Sequence, residues 1–359
     1  MVNSNPVRMH ANSKGQRLSP MGLAQAASGR LDRQTLWSLA GASICGHADL
    51  PRERVLALTA LASLFEVSDV ARHHPLDGKL VITAFFEAST RTRLSFESAV
   101  LRLDGKVVSV PDGKVTGTAK GESLADIGEM FNTYGDLLVV RHPRTEALDE
   151  IRENLLIPVV NAGNGTGEHP TQALIDWYTI LKWRPALALD EVPEAEKIDL
   201  CVVGTPASMR SVKSFLFMAT LFARGIRSLT VASELADPLD PALVDVAKAA
   251  GLEIQTTSDL AGVLPAADLI YMNSITLIGN TYQQLDSGFS LSSSSPLKEG
   301  AVVMHPLARR EELDTSLDDT QHNLYFAQAA SAVYLRQALL TALLGRLDSF
   351  PPSFFEVAF

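Results

Sequence analysis

The stretch Phe85–Glu97 places hydroxyl and guanidinium side chains at the junction between an apolar run and a helix-forming run. A strand-to-helix turn directs backbone N–H groups and the positive end of a helix dipole at one point, which suits an oxyanion. Hydroxyl donors and an arginine at the same point favour a phosphate group. The alternative is an ordinary helix start, with Ser89 or Thr90 as the N-cap and the arginines solvated. The polar side chains of this turn are Ser89, Thr90, Arg91, Thr92 and Arg93.

Three further polar motifs each follow an apolar run that predicts a strand. They are Arg141-His142-Pro143, His169-Pro170-Thr171-Gln172 and His305-Pro306-Leu307. Ligands of open α/β sheets bind beyond the carboxyl ends of strands, so these motifs and the phosphate turn are candidates for one site. His169 and Gln172 are three residues apart and share a helix face. A single histidine in a loop is more often an ordinary hydrogen-bonded residue than a site residue, so each of these histidines by itself is weak evidence.

Motifs that mark other chemistries are missing from the sequence. The sequence contains neither the His-Glu-x-x-His motif nor a cysteine pair, either of which would indicate a metal site. It also lacks Gly-x-x-x-x-Gly-Lys-Ser/Thr, the motif of a P-loop. The turn Gly204–Ser208 lacks the Gly-x-Gly-x-x-Gly of a dinucleotide site, and no Gly-x-Ser-x-Gly elbow occurs. We therefore expect no metal and no organic cofactor.

Strand-like apolar runs alternate with helix-period segments along most of the chain, which predicts βαβ units and parallel sheets. The expected fold class is α/β, with two doubly wound parallel-sheet domains joined by helices. A Pro- and acid-rich interruption at 183–196 marks the boundary between them. The predicted organisation is a disordered tail over 1–32, one domain over 33–183 plus 325–350, and a second domain over 184–324.

Two segments of the C-terminal half are predicted separately. The final helix, roughly 325–345, is apolar enough to pack back on the N-terminal domain. The segment 274–299 is polar and rich in serine, which predicts a long mobile loop, a feature that often carries function.

Composition limits the class of protein and its partners. The net charge of −10 argues against nucleic acid or an anionic membrane as a partner. The only cysteines, Cys45 and Cys201, are isolated, as is usual in a reducing compartment. The first twenty residues lack the apolar core of a secretory signal. We expect a cytoplasmic protein with no membrane segment.

Taken together, the motifs resemble the aspartate/ornithine carbamoyltransferase family, and within it most closely the catalytic chains of the aspartate branch. The resemblance runs from about residue 50 to about residue 345. Besides the four motifs above, it includes three segments in matching order: Lys120–Asp126, Asn161–Gly163 and Tyr325–Leu339.

The resemblance implies a site for carbamoyl phosphate and a role for each matched residue. Phosphate would be held by Ser89, Thr90, Arg91 and Thr92. The carbamoyl oxygen would be bound by Arg141, His169 and Thr92, and the carbamoyl amide by Gln172 and the backbone carbonyls of Pro306 and Leu307. Glu87 would brace arginines through ion pairs. The resemblance also implies a homotrimer with shared active sites, alone or in a higher assembly. Lys120 would then reach into the site of the adjacent subunit.

The acceptor side of the resemblance is incomplete. Arg210 matches the arginine that binds the α-carboxylate of the amino acceptor, and Leu307 also faces the acceptor. Aspartate enzymes carry an arginine and a glutamine where this chain has Ser274 and Thr276, and a further arginine at Gly279. A side-chain carboxylate without its cation would bind poorly in a dry site. Ala308 replaces the proline that follows His-Pro-Leu, which puts the usual cis peptide bond there in doubt.

The sequence thus predicts transfer of a carbamoyl group from carbamoyl phosphate to the amino group of a small amino acid or amine, with release of phosphate. We hypothesise that the acceptor is not L-aspartate. Three alternatives remain open. In the first, the enzyme is an ordinary aspartate carbamoyltransferase, with Arg309 or Arg310 supplying the missing charge. In the second, the chain is a non-catalytic binding subunit. In the third, it is an unrelated phosphate-sugar or dinucleotide binder.

Overall fold

The structure, a computed structural model, describes residues 18–27, 33–273, 275–278, 281–284 and 287–356. Within these residues the chain forms two compact units. The N-terminal unit comprises Pro20–Leu174 and the chain from Ala332 onward. The C-terminal unit comprises Ile175–Ser331 and the described residues up to Ser19.

A parallel sheet forms the centre of the N-terminal unit. Its strands are β1 (Leu80–Phe85), β2 (Lys106–Val110), β3 (Leu137–His142) and β4 (Val159–Asn164), in the spatial order β2-β1-β3-β4. Every residue of β1 after the first is buried, as expected of a parallel strand that is covered on both faces. The pairing places Phe85 of β1 opposite Arg141 of β3.

The helices of the N-terminal unit begin where the sequence supplies helix starts. They are α1 (Pro20–Ala26), α2 (Arg33–Trp37), α3 (Arg52–Val67), α4 (Thr90–Leu101), α5 (Leu124–Tyr134), α6 (Ala147–Arg152) and α7 (Pro170–Trp183). Ser123 caps α5 by accepting a hydrogen bond from the N–H of Asp126. On one face of the sheet, Ile82 and Leu138 share a core with Phe131 of α5 and Ile151 of α6.

The N-terminal segment differs from the sequence prediction. A disordered tail over 1–32 is wrong for residues 20–27, because α1 packs on α3 and buries Leu23 and Ala24. All residues of α3 from Val55 to Phe65 are buried, so this helix needs cover on every side. Residues 1–17 and 28–32 lie outside the described part of the chain.

A second parallel sheet forms the centre of the C-terminal unit. Its strands are β5 (Ile198–Val203), β6 (Ile226–Ala232), β7 (Ile254–Thr257), β8 (Leu269–Met272) and β11 (Val302–Met304), in the spatial order β11-β8-β5-β6-β7. The strands alternate along the chain with α8 (Arg210–Thr220), α9 (Pro241–Ala249) and α10 (Leu260–Val263). The predicted α/β class with two parallel sheets is confirmed.

The segment 274–299 is not the plain loop that its composition predicted. Strands β9 (Ile275–Ile278) and β10 (Thr281–Gln284) pair antiparallel. Residues 279 and 280, a glycine and an asparagine, lie between them and outside the described residues. Isoleucine, threonine and tyrosine on both sides of a Gly-Asn pair are typical of a hairpin, and this signal outweighs the serine content that follows.

The last helices return the chain to the N-terminal unit. They are α11 (Tyr325–Leu343) and α12 (Pro352–Glu356). The N–H of Gly41 donates to the carbonyl of Leu343 at 2.9 Å, so the predicted return of the final helix is confirmed. The division between the units falls within α7 and α11, whereas the sequence placed its boundaries at the ends of these helices. No helix in the described ranges is long and apolar enough to cross a bilayer.

Replacing Leu23 with alanine tests whether α1 belongs to the folded core. Its side chain is fully buried, so Leu23→Ala should lower the free energy of unfolding of the N-terminal unit by roughly 2–5 kcal/mol. Leu156→Ala is the matched control, because Leu156 is 87% exposed and should change that free energy by about 0.5 kcal/mol or less. Urea unfolding of the full chain gives the measurement. Equal effects of the two substitutions would contradict the burial of α1.

Candidate functional site

The turn between β1 and α4 is set by the neighbouring strand. The N–H of Phe86 donates to the carbonyl of Arg141 at 2.9 Å and extends the pairing with β3 past the end of β1. Ser89 occupies the N-cap position of α4, yet its side chain makes no capping hydrogen bond, and Thr90 already lies in the first turn. This turn therefore does not show the alternative arrangement, in which these hydroxyls serve only as helix caps.

Arg91 and Thr92 leave the turn in different environments. Arg91 is exposed, although partial desolvation lowers the pKa of its guanidinium from the ordinary value for arginine; an arginine remains protonated at neutral pH. Thr92 is buried. Its carbonyl accepts hydrogen bonds from Ser95 Oγ at 3.0 Å and from Arg336 Nη1 at 3.4 Å. The first turn of α4 is thus held from within the helix and from α11.

Arg141 is fixed at the carboxyl end of β3 by an ion pair. Its Nη2 lies 3.1 Å from Glu87 Oε1, with 12% of the arginine side chain and 19% of the glutamate side chain exposed. A second contact, from Nη1 to the carbonyl of Ala162 at 3.4 Å, ties the guanidinium to β4. The pairing of Glu87 with an arginine, which the resemblance implied, is confirmed.

His169 stands at the end of the turn that follows β4. Asn161 organises this turn: its side-chain amide donates to the carbonyl of Cys45 at 2.8 Å, and its side-chain oxygen accepts the N–H of Gly163 at 2.8 Å. His169 is 5% exposed and lies immediately before α7. Its Nδ1 is 3.5 Å from the hydroxyl of Thr171. Gln172, half-buried, follows in the first turn of α7.

Lys120 lies apart from these three turns. It ends a short 3-10 helix, Gly117–Lys120, in the connection between edge strand β2 and α5, and its side chain is exposed. The carboxyl edges of β1, β3 and β4 therefore collect most of the predicted donor residues within one unit. These are Ser89, Thr90, Arg91, Thr92, Arg141, His169 and Gln172.

The predicted acceptor residues belong to the C-terminal unit. Arg210 is the first residue of α8 and is half-buried. Beside it, the amide of Asn273 donates to Ser211 Oγ at 2.8 Å, which ties the end of β8 to the start of α8. Of the residues at which the sequence departs from the aspartate branch, Ser274 and Gly279 lie outside the described residues. Thr276 lies on β9.

The His-Pro-Leu motif follows β11 in the same unit. Pro306 and Leu307 are half-buried, and Leu307 adopts a φ of 56°. The peptide bond between Leu307 and Ala308 is cis, so the doubt raised by the missing proline is not borne out. His305 is buried against Glu312. The sequence alone gives no sign of this glutamate, because no spacing rule links a loop histidine to an acid seven residues later.

The two arginines after this motif differ in their contacts. Arg309 forms a two-pronged ion pair with Asp318, which raises the pKa of Arg309 above that of an ordinary arginine. Arg310 has an exposed side chain. Of the two cations proposed to replace the missing charge, Arg309 is thus engaged by a carboxylate. Across the described ranges, no group of three or more histidine, cysteine, aspartate or glutamate side chains is arranged to hold a metal ion.

Comparison with known proteins assigns both halves of the chain. Residues 43–182 match the family model described as aspartate/ornithine carbamoyltransferase, carbamoyl-P binding domain. Residues 196–343 match the model described as the Asp/Orn binding domain of the same enzymes. The chain belongs to the aspartate/ornithine carbamoyltransferase family. Family members are enzymes, and this chain is a carbamoyltransferase of the aspartate carbamoyltransferase type.

Relatives in the aspartate branch cover most of the chain. The aspartate carbamoyltransferase catalytic subunit of Picrophilus torridus is 36% identical over 276 residues, which is 75% of this chain and 86% of the relative. Catalytic subunit 2 of Shewanella halifaxensis is 33% identical over 308 residues, which is 84% of this chain and 95% of the relative.

Solved structures of aspartate transcarbamoylase from Trypanosoma cruzi have the same fold. The structure in complex with carbamoyl phosphate is 30% identical, with a TM-score of 0.73, and the match covers 86% of this chain and 97% of that chain. The structure in complex with aspartate and phosphate is also 30% identical, with a TM-score of 0.74 and the same coverage.

Replacing Glu87 with alanine tests the ion pair that fixes Arg141. Removing one partner of a mostly buried pair leaves the other charge poorly solvated, so Glu87→Ala should lower the free energy of unfolding by about 1–3 kcal/mol. The control is Glu146→Ala, which breaks the exposed pair with Arg144, whose side chains are 47% and 61% exposed. That change should cost about 0.5 kcal/mol or less. Equal losses in urea unfolding would contradict a structural role for the Glu87 pair.

Proposed function

We propose that this enzyme transfers the carbamoyl group of carbamoyl phosphate to the amino group of a small amino acid and releases phosphate. The observation that carries the proposal is the edge of the N-terminal sheet, where Arg141, fixed by Glu87, stands beside the hydroxyl-rich turn that begins α4. The family match over residues 43–182 and the binding of carbamoyl phosphate by the Trypanosoma cruzi enzyme support it.

On this proposal the phosphate binds at the start of α4. Backbone N–H groups of the first helical turn point toward an anion there, and the Arg91 guanidinium adds charge-assisted hydrogen bonds. The hydroxyls of Ser89, Thr90 and Thr92 complete the shell. Lys120 adds a positive charge from the adjacent subunit of a homotrimer, alone or in a higher assembly. Its exposed position in a connection at the edge strand is compatible with reaching a neighbour.

The carbamoyl group then lies beside Arg141 and His169. As the neutral amine of the acceptor attacks the carbamoyl carbon, negative charge grows on the carbamoyl oxygen, and Arg141, His169 and Thr92 donate to it. Gln172 and the carbonyls of Pro306 and Leu307 hold the carbamoyl amide. A C–N bond forms, the C–O bond to phosphate breaks, and the departing phosphate takes the proton of the amine. Positioning and electrostatics supply the catalysis.

The acceptor is held on this proposal by Arg210, Leu307 and the segment that carries Ser274 and Thr276. Arg210 binds the α-carboxylate. L-aspartate is favoured by the relatives, which carry the name aspartate carbamoyltransferase, and the exposed Arg310 is then the cation available for the second carboxylate. A different amino acid is favoured by the serine and threonine at 274 and 276, which offer no positive charge. The free thiols of Cys45 and Cys201 fit the cytoplasm as the place of this reaction.

Arg91→Ala tests the phosphate site. The variant should bind phosphonoacetamide, a stable analogue of carbamoyl phosphate, at least about 30-fold more weakly, because charge-assisted hydrogen bonds are worth about 1.5–3 kcal/mol each. Calorimetric titration measures the affinity. The control is Arg102→Ala, at the exposed C-cap of the same helix, which should leave the affinity unchanged. Wild-type affinity in Arg91→Ala would overturn the assignment.

An acceptor screen tests the other half of the site. Phosphate release is measured with carbamoyl phosphate against a panel of amino acids and diamines. Arg210→Ala should raise KM for the best acceptor by about 10-fold or more, since the carboxylate loses its cation.

If the acceptor is not aspartate, Ser274→Arg should shift preference toward L-aspartate. Efficient use of L-aspartate below millimolar concentration by the wild-type chain would overturn the changed acceptor and support the ordinary enzyme, in which Arg310→Ala should raise KM for L-aspartate.

A further inference from the structure

His305 and Glu312 form a buried pair beneath the backbone of the His-Pro-Leu motif. Their side chains are only 2% and 1% exposed, and His305 Nε2 lies 3.0 Å from Glu312 Oε1. The proposed function assigns roles to the carbonyls of the next two residues, Pro306 and Leu307, but none to the histidine itself.

The neighbouring N–H groups determine which ring nitrogen of His305 carries the proton. The backbone N–H of Leu307 donates to Nδ1 at 2.8 Å, so Nδ1 must be unprotonated. Nε2 then carries the proton and donates to Glu312, whose Oε1 also accepts the N–H of Arg310 at 2.9 Å. Burial by itself raises the pKa of Glu312, but these donors outweigh it and hold the pKa below that of an ordinary glutamate. A neutral imidazole thus lies against an ionised carboxylate.

A second set of buried hydrogen bonds holds the other side of His305. Its backbone N–H donates to Gln328 Oε1 at 2.9 Å, and the amide of Gln328 donates to Asp176 Oδ1 at 2.5 Å. Asp176 also accepts the hydroxyl of Tyr271 at 2.8 Å. All three side chains are buried. The start of the motif is therefore attached to α7, α11 and β8, while its continuation is attached through the imidazole to Glu312.

We propose that His305 and Glu312 are positioning residues, which fix the carbonyls of Pro306 and Leu307 at the place where the carbamoyl amide binds. The inference rests on the proposed function, in which those carbonyls accept the amide protons. A backbone acceptor is useful only if it is held within about 0.5 Å of the productive geometry. The bond from Leu307 N–H to Nδ1 orients one of the two peptide units concerned. His305 acts as a hydrogen-bonding support and transfers no proton.

The tautomer of His305 is the first test. In the ¹⁵N-labelled full-length enzyme, the imidazole signals that vanish in His305→Asn belong to His305. We expect an unprotonated Nδ1 and a protonated Nε2 at pH 7.5, both unchanged when phosphonoacetamide binds. A protonated Nδ1, or a change of protonation on binding, would overturn the assignment.

Two substitutions then separate positioning from mere support of the fold. His305→Asn places an amide oxygen where Nδ1 accepts from Leu307 but leaves Glu312 without its donor. His305→Gln places an amide nitrogen where Nε2 donates to Glu312 but leaves the Leu307 N–H without its acceptor. We expect KM for carbamoyl phosphate to be about tenfold higher in the glutamine variant than in the asparagine variant. The difference corresponds to the loss of about one hydrogen bond, the one that the Leu307 N–H donates. We expect the asparagine variant to be the less stable to urea, because it leaves a buried charge unpaired.

The opposite order of KM would overturn the inference, since activity would then follow stability. If His305→Asn does not fold, Glu312→Gln and Glu312→Leu replace the pair. Glutamine keeps an oxygen for both N–H groups and leucine keeps none, so KM for carbamoyl phosphate should be about tenfold higher in the leucine variant. Equal KM values would overturn the inference.

Controls separate this inference from the proposed function. His322→Asn is the matched control, because His322 Nδ1 pairs with the carbonyl of Ala301 in the same unit at 2.7 Å, and the change should leave KM unaltered. A wild-type chain without amine-dependent phosphate release would overturn the proposed function and this inference together. Wild-type turnover combined with the opposite order of KM would overturn this inference alone.

Discussion

The pairing of β1 with β3 is the constraint on which the donor side of the enzyme depends. Phe85 and Arg141 stand opposite each other in the register, and the bond from the N–H of Phe86 to the carbonyl of Arg141 extends that register into the turn. A slip of one residue would turn Arg141 to the other face of the sheet. It would then lose its ion pair with Glu87. The proposed anion site thus depends on sheet register before it depends on the choice of side chains.

Much of this arrangement follows from sequence alone. Runs such as Leu80–Phe85 and Ile198–Val203 are apolar at nearly every position, as parallel strands buried on both faces must be, and each is followed by a helix-period segment. Parallel strands end at one edge of their sheet, so the polar motifs that follow the strands can be assigned to one edge from the sequence alone. The position of Arg141, His169 and the α4 turn at the same edge of the sheet follows from this topology.

Other features depend on contacts that no local pattern contains. Helix α1 is too short to be stable by itself, and it exists because α3 is apolar on all sides and Leu23 covers part of it. The buried contact between His305 and Glu312 joins two residues seven positions apart across a loop, and no local spacing rule predicts it. The hairpin β9–β10 was not predicted from the sequence, because the serine content of the surrounding segment favours a loop. The proposed acceptor residues Ser274 and Thr276 belong to that same segment.

The central claim is that a new carbon–nitrogen bond forms between carbamoyl phosphate and an amine. The most direct measurement incubates the enzyme with ¹³C-carbamoyl phosphate and ¹⁵N-labelled amino acids and follows both nuclei by NMR. Formation of this bond predicts a product signal split by one-bond ¹³C–¹⁵N coupling, together with an equal amount of phosphate, only when enzyme and acceptor are both present. Decay of carbamoyl phosphate at the enzyme-free rate, with no coupled signal for any amine, would contradict it.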